Sequence, residues 1–166
     1  MRYLNKIVFI NSAAIRYSEV QLDGNIHLIG TQGVGKSTIL RAILFFYNAD
    51  TQRLGIPVEK KSYQDYYFPY ADSSIIYEVA REDGWFTVLS YKTMNRICYR
   101  FIASPYRPDL FIDEEGAPYP SDRIRSVLDK NGIKYSGAIS TYEEYRNILY
   151  GNSDNKRDYS CYSLME

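Results

Sequence analysis

Residues 26 to 47 dictate a strand, a tight glycine curl and a helix, and this stretch limits the fold more than any other. Ile26-His27-Leu28-Ile29 is a short apolar run that ends on Gly30. Gly33 and Gly35 follow closely, and glycine tolerates the left-handed backbone that such a curl needs. Behind them Ile39, Leu40, Ile43, Phe46 and Tyr47 recur at helical spacing, until Asn48-Ala49-Asp50 breaks the pattern.

Gly30-Thr31-Gln32-Gly33-Val34-Gly35-Lys36-Ser37 satisfies the G-x-x-x-x-G-K-[ST] pattern of a phosphate-binding P-loop. Without Cβ atoms in the way, successive backbone N–H groups turn inward towards phosphate oxygens. The helix that follows adds its free N–H groups and the positive end of its dipole. Lys36 is placed to reach the β and γ phosphates, and the Ser37 hydroxyl to ligate Mg²⁺. Residues Gly30 to Thr38 are therefore the candidate set for a nucleoside triphosphate with Mg²⁺, the motif itself not choosing between ATP and GTP.

Upstream, Ile7 to Ile10 and Val20-Gln21-Leu22 read as strands. Residues 51 to 72 hold prolines 57 and 69 and no clean period, so an irregular connection is expected, tethered by Tyr66-Tyr67-Phe68. From Ser74 the pattern becomes strictly alternating. Ile75, Tyr77 and Val79 lead to Asp83-Gly84, a hairpin signal, and Trp85, Thr87, Leu89 and Tyr91 run back. A third strand carries Ile97, Tyr99 and Phe101 on one face. Leu110-Phe111-Ile112 reads as a further short strand turning near Glu115-Gly116. Two short helices follow, one capped by Ser121 and closed near Gly132, the other opened by Ser140 or Thr141 and ending near Gly151. The expected organisation is a core at 1–50, a connection at 51–72 and a meander with helices at 73–151. Residues 152–166 read as a polar linker and the start of a further element, as in the front part of a longer protein.

The charge balance, 20 basic against 20 acidic side chains, withholds the electrostatic argument for nucleic acid that a basic chain would give. No apolar run approaches the roughly 20 residues of a bilayer span, and Met1-Arg2-Tyr3-Leu4-Asn5-Lys6 lacks a signal-peptide core. A cytoplasmic setting without membrane attachment is expected. Cys98 and Cys161 are too far apart, and lack the spacing, for a metal or disulfide framework. Both read as reduced thiols, with Cys98 packed in a strand.

Asn25 to Gly30 and Gly33 to Ile43 resemble the amino-terminal head segment of the structural maintenance of chromosomes family of ABC-type ATPases. Tyr145-Arg146-Asn147-Ile148-Leu149-Tyr150-Gly151 resembles a segment of condensin-like bacterial ATPases, including motor subunits of plasmid-defence systems. The resemblance implies an α/β P-loop NTPase fold: the N-terminal lobe of an ABC-type head, with a mixed sheet, an antiparallel β meander and short flanking helices. It also implies an ATP half-site that hydrolyses only when a C-terminal head lobe, or a second head, supplies the signature motif and carboxylates, with DNA engaged through the assembly. This chain has no heptad run and no LSGGQ-like segment, and Gln32 stands where the family usually has Asn. Gln64 is the positional candidate for the family's Q-loop glutamine; Arg53 reads as a solvated loop arginine, with the nucleotide-facing arginine of some family members as the alternative.

A rival reading makes the chain a self-contained small NTPase or nucleotide kinase. Leu110-Phe111-Ile112-Asp113-Glu114 looks like a Walker B strand, with Asp113 on Mg²⁺ and Glu114 activating water. Pro108-Asp109 before it and Glu115-Gly116 after it favour a hairpin instead. The remaining polar signals have plain structural readings: His27 as a strand residue, Lys60 and Lys61 as solvated loop lysines, and the 18 tyrosines as strand and interface residues. The sharper alternative has aromatics beside Arg96 and Arg100 stacking on bases.

Overall fold

The computed structural model describes residues 1–22, 27–29, 35–48 and 62–166, with 27–29 and 48 as backbone. Six strands form one sheet in the order β3-β2-β1-β4-β5-β6. They are β1 (Tyr3–Ser12), β2 (Ile15–Gln21), β3 (His27–Ile29), β4 (Ser74–Arg81), β5 (Gly84–Thr93) and β6 (Arg96–Ile102). The helices are α1 (Lys36–Asn48), α2 (Tyr63–Tyr67), α3 (Ser121–Lys130), α4 (Tyr142–Leu149) and α5 (Lys156–Tyr159).

Every neighbouring pair of described strands is antiparallel, where a mixed sheet was expected. The short turns joining β1 to β2 and β4 through β6 each reverse the chain, and a parallel pair needs a crossover. The only long excursion, through α1 and α2, also returns antiparallel, with Tyr3 opposite Ala80 and Ile10 opposite Ser74. The β4–β5 hairpin is shifted by one residue from its sequence signal. Arg81 pairs with Gly84, so Glu82 and Asp83 form the turn and Gly84 opens β5 at φ +142.

Alternation along the strands gives the sheet two buried faces. On one, Phe9, Ile75, Tyr77, Val88, Tyr99 and Phe101 pack with residues of α1, α2 and α4. On the other, Val8, Ile76, Leu89 and Ile102 pack with Leu110, Phe111 and α3 residues Ile124 and Leu128. The first core is aromatic. Phe45 stacks on Tyr63 at 4.5 Å, and Tyr145 stacks on Tyr99 at 4.3 Å. Tyr63, Tyr67, Tyr77, Tyr99, Tyr145 and Tyr162 are all fully buried, which accounts for a large part of the tyrosine content.

Among its described residues the connection holds α2, capped by the Ser62 hydroxyl accepting from Asp65 N at 3.2 Å. Thr141 caps α4 by accepting from Glu144 N at 3.2 Å, and Gly132 and Gly151 close α3 and α4 at φ +66 and +73. Ser121 is instead the first helical residue of α3, because the Pro120 carbonyl accepts from Arg123 and Ile124 and makes the proline the cap. Residues 152–166, read as a linker and a new element, fold back on the sheet. Tyr162 is fully buried, with Phe101 at 5.3 Å, and Arg2 and Arg81 both donate to the Ser163 carbonyl. Among the described residues no helix is long and apolar enough to cross a membrane.

Candidate nucleotide site

Of the nine candidate residues, Gly30, Thr31, Gln32, Gly33 and Val34 lie outside the described residues, as do Arg53, Lys60 and Lys61. Gly35, Lys36, Ser37 and Thr38 are described. α1 begins at Lys36, and its first bond runs from Ile39 N to the Gly35 carbonyl at 3.3 Å. Gly35 is thus the cap residue of α1 and brings no side-chain acceptor for the unpaired N–H groups of the first turn. The first turn also lacks an acidic residue, and Lys36 and Ser37 are exposed. A helix N-terminus with an exposed lysine and hydroxyl has the general make-up that favours anions.

Thr38 is different, because it is buried against α2. Its carbonyl accepts from the Tyr67 hydroxyl at 2.7 Å, and its hydroxyl lies 3.3 Å from that of Tyr66. The aromatic tether expected at Tyr66-Tyr67-Phe68 therefore ends on the first turn of α1. Gln64 belongs to the same short helix and is half-buried.

Tyrosines also hold the rest of α1. Tyr77 of β4 donates to the Ala42 carbonyl at 3.0 Å, and Tyr145 and Tyr150 of the α4 region donate to the Phe46 and Tyr47 carbonyls. With Tyr67 on Thr38, the hydroxyls meet carbonyls 38, 42 and 46, one helical turn apart on the same side. Burial pushes the Tyr67, Tyr77 and Tyr145 hydroxyls well above the usual phenol range, so they stay protonated donors. Carbonyls 46 and 47 belong to the last turn, where an α-helix leaves its acceptors unpaired. The segment Tyr145 to Gly151, picked out by resemblance, thus supplies a C-terminal cap for α1. No local sequence pattern signals these tertiary bonds.

β3 forms one border of the sheet, pairing Gln21 with His27 and Glu19 with Ile29. Among the described residues no strand pairs with its outer edge. The opposite border is covered, since Ile139 and Tyr99 exchange both backbone bonds at 2.7 and 2.8 Å, and Ala103 donates to the Lys134 carbonyl. The border that no described strand covers is the one whose sequence leads into Gly30.

Asp113 and Glu114 lie elsewhere. A 3-10 turn at Pro108–Leu110 precedes them, and Ile112 pairs only with Pro118, outside the six-stranded sheet. One Asp113 oxygen accepts from Glu115 N and Ala117 N, both at 2.9 Å, so the carboxylate closes the turn. Glu114 is exposed at its tip. The flanking Leu110 and Phe111 pack on the sheet face opposite to α1. A cavity of about 690 Å³ on this side, lined by Ile10, Arg16, Tyr17, Ile112 and Pro118, includes no residue of α1.

Arg100 is buried, donating to the Ser136 carbonyl at 2.6 Å with its guanidinium 5.4 Å from the Tyr135 ring, so it is occupied within the fold. Arg96 is exposed at the start of β6. Cys98 is buried and free, and Cys161 is free and half-buried. No cluster of three metal-ligating side chains occurs among the described residues.

No curated protein and no solved structure matches the chain. A family model described as a protein of unknown function, DUF3584, matches residues 11–160, almost the whole length, and the chain belongs to that family.

Proposed function

We propose that this chain is the ATP-binding half of an SMC-like, ABC-type ATPase head. In this reading the Gly30 to Ser37 loop cradles the phosphates of Mg·ATP, Lys36 neutralises the β and γ phosphates, and Ser37 holds Mg²⁺. The observation that carries the reading is the start of α1. A P-loop sequence leads from an edge strand into a helix whose first turn has exposed Lys36 and Ser37, no acid and a glycine at the cap position.

The outer edge of β3, which no described strand covers, gives the half-site its partner. A strand from a complementary C-terminal lobe pairs there and brings the carboxylates that polarise water, while a second head closes over the nucleotide. ATP then acts as a ligand that favours the joined state, because only that state makes the full set of phosphate contacts. DNA is engaged by the assembled protein in the cytoplasm rather than by this lobe alone. The Asp113 and Glu114 alternative receives no support, since Asp113 is committed to its turn and the flanking Leu110 and Phe111 pack on the sheet face opposite to α1.

Equilibrium binding of Mg·ATP, together with steady-state turnover by the same chain, tests this reading. Wild type binds and turns over negligibly, Lys36→Ala weakens binding by about tenfold or more, as expected for a lost charge-assisted contact, and Ser37→Ala reduces the Mg²⁺ dependence. Glu114→Gln changes neither measurement. Titrations unchanged by both P-loop substitutions overturn the site, and turnover abolished by Glu114→Gln overturns the half-site.

A further inference from the structure

We propose that Tyr66 is a positioning residue for the nucleotide phosphates, acting through the hydroxyl of Thr38; this rests on the ATP reading above. Two neighbouring tyrosines of α2 reach the same threonine in different ways. The Tyr67 hydroxyl is buried and donates to the Thr38 carbonyl at 2.7 Å, a backbone bond that docks α2 on α1. Tyr66 is only half-buried, and its hydroxyl lies 3.3 Å from Thr38 Oγ1, a side-chain atom in the first turn of α1. The two rings meet edge to face at 4.9 Å and 83°, so Tyr67 braces Tyr66.

A threonine hydroxyl has one proton to give and two lone pairs to offer. When Tyr66 donates to Thr38 Oγ1, the threonine proton is turned away from Tyr66. Thr38 follows Lys36 and Ser37 directly, and Gly35 brings no side-chain acceptor. In the nucleotide complex the Thr38 O–H donates to a phosphate oxygen while the Tyr66 O–H donates to Thr38 Oγ1. The two bonds form a short chain ending on an anion, and such chains strengthen one another. Tyr66 touches no phosphate itself. Its contribution is to hold the threonine proton in the direction the ligand needs, and to tie α2, which carries Gln64, to whether the site is filled.

The test is a double-mutant cycle on Tyr66→Phe and Thr38→Val, read by affinity for Mg·ATP and for Mg·tripolyphosphate, with thermal melting in parallel. Tyr66→Phe is expected to weaken both ligands by about three- to tenfold, the range of one net hydrogen bond. In the Thr38→Val background the same substitution has no further effect, and Thr38→Ser, which keeps the hydroxyl, restores it. Tyr145→Phe, a comparable deletion at the far end of α1, lowers the melting temperature without changing affinity. Equal affinities for wild type and Tyr66→Phe overturn the proposal, as does a full loss that persists beside Thr38→Val. A loss seen with ATP but not with tripolyphosphate also overturns it, because Tyr66 then reads the nucleoside. If wild type binds neither ligand, or Lys36→Ala binds as wild type does, the P-loop reading itself fails and this inference falls with it.

Discussion

Tyr145→Phe isolates one hydroxyl in the aromatic core. The ring is fully buried, stacked at 4.3 Å on Tyr99 and 5.8 Å from Phe101, and phenylalanine keeps all of that packing. What is lost is the bond to the Phe46 carbonyl in the last turn of α1. A net hydrogen bond contributes about 1 kcal/mol, and leaving its buried acceptor unpaired costs about 1 kcal/mol more at the low end of the range. The expected destabilisation is therefore about 2 kcal/mol, or roughly 4–8 °C in Tm for a chain of this size. Urea unfolding followed by far-UV and near-UV circular dichroism measures it, with an unchanged slope showing that the unfolded state is not altered. Because the pair acts at one helix end, Tyr145→Phe and Tyr150→Phe should be non-additive, the second deletion costing less once the first has loosened the turn. A Tyr145→Phe change within about 0.5 kcal/mol of zero refutes the reasoning that this hydroxyl caps α1.

Acid unfolding should carry a signature of the Arg2–Glu82 pair. The Arg2 guanidinium, 2.6 and 3.0 Å from the carboxylate, holds the Glu82 carboxyl down to about 2 from 4.5, chiefly through its hydrogen bonds. That contribution is complete above 4.5 and is lost as pH falls towards 2. Urea midpoints for wild type and Glu82→Gln should converge through that window, and curves that stay parallel there reject the assignment. The thiols should separate by reactivity. Burial raises the Cys98 thiol and shields it within β6, so a thiol reagent labels half-buried Cys161 first and reaches Cys98 only on unfolding. Equal labelling rates in the native protein contradict this packing.

The parts of the fold visible in the sequence are those set by local repetition. Ile39, Ile43 and Phe46 mark one side of α1 through helical spacing, and Ile75, Tyr77 and Val79 mark one face of β4 through alternation. The Thr141 cap and the Gly132 and Gly151 stops follow from backbone chemistry within a few residues. α2 was hidden because Tyr63-Gln64-Asp65-Tyr66-Tyr67 is too short to show a period. The antiparallel union of β1 with β4 was hidden because nothing local in Tyr3 to Ser12 names a partner beyond α2. At the candidate site Lys36 and Ser37 are legible as a motif. The arrival of Tyr66 and Tyr67 at Thr38 is not, since it depends on where α2 docks rather than on spacing along the chain.

The strand order has a consequence for the chain as it is made. β1 occupies an interior place in the sheet, between β2 and β4, yet β4 is completed only at Arg81. After β2 ends at Gln21, about 60 further residues must leave the ribosome, which takes roughly 3–12 s at about 5–20 residues per second. During that interval the β1–β2 hairpin exposes the backbone edge of Ile7 to Ile10 and both of its apolar faces. β4, β5 and β6, joined by short turns, can pair with one another as soon as they emerge. The nascent protein therefore depends on whatever shields its first strands in those seconds, and slowing translation between residues 22 and 81 should increase its demand for chaperones.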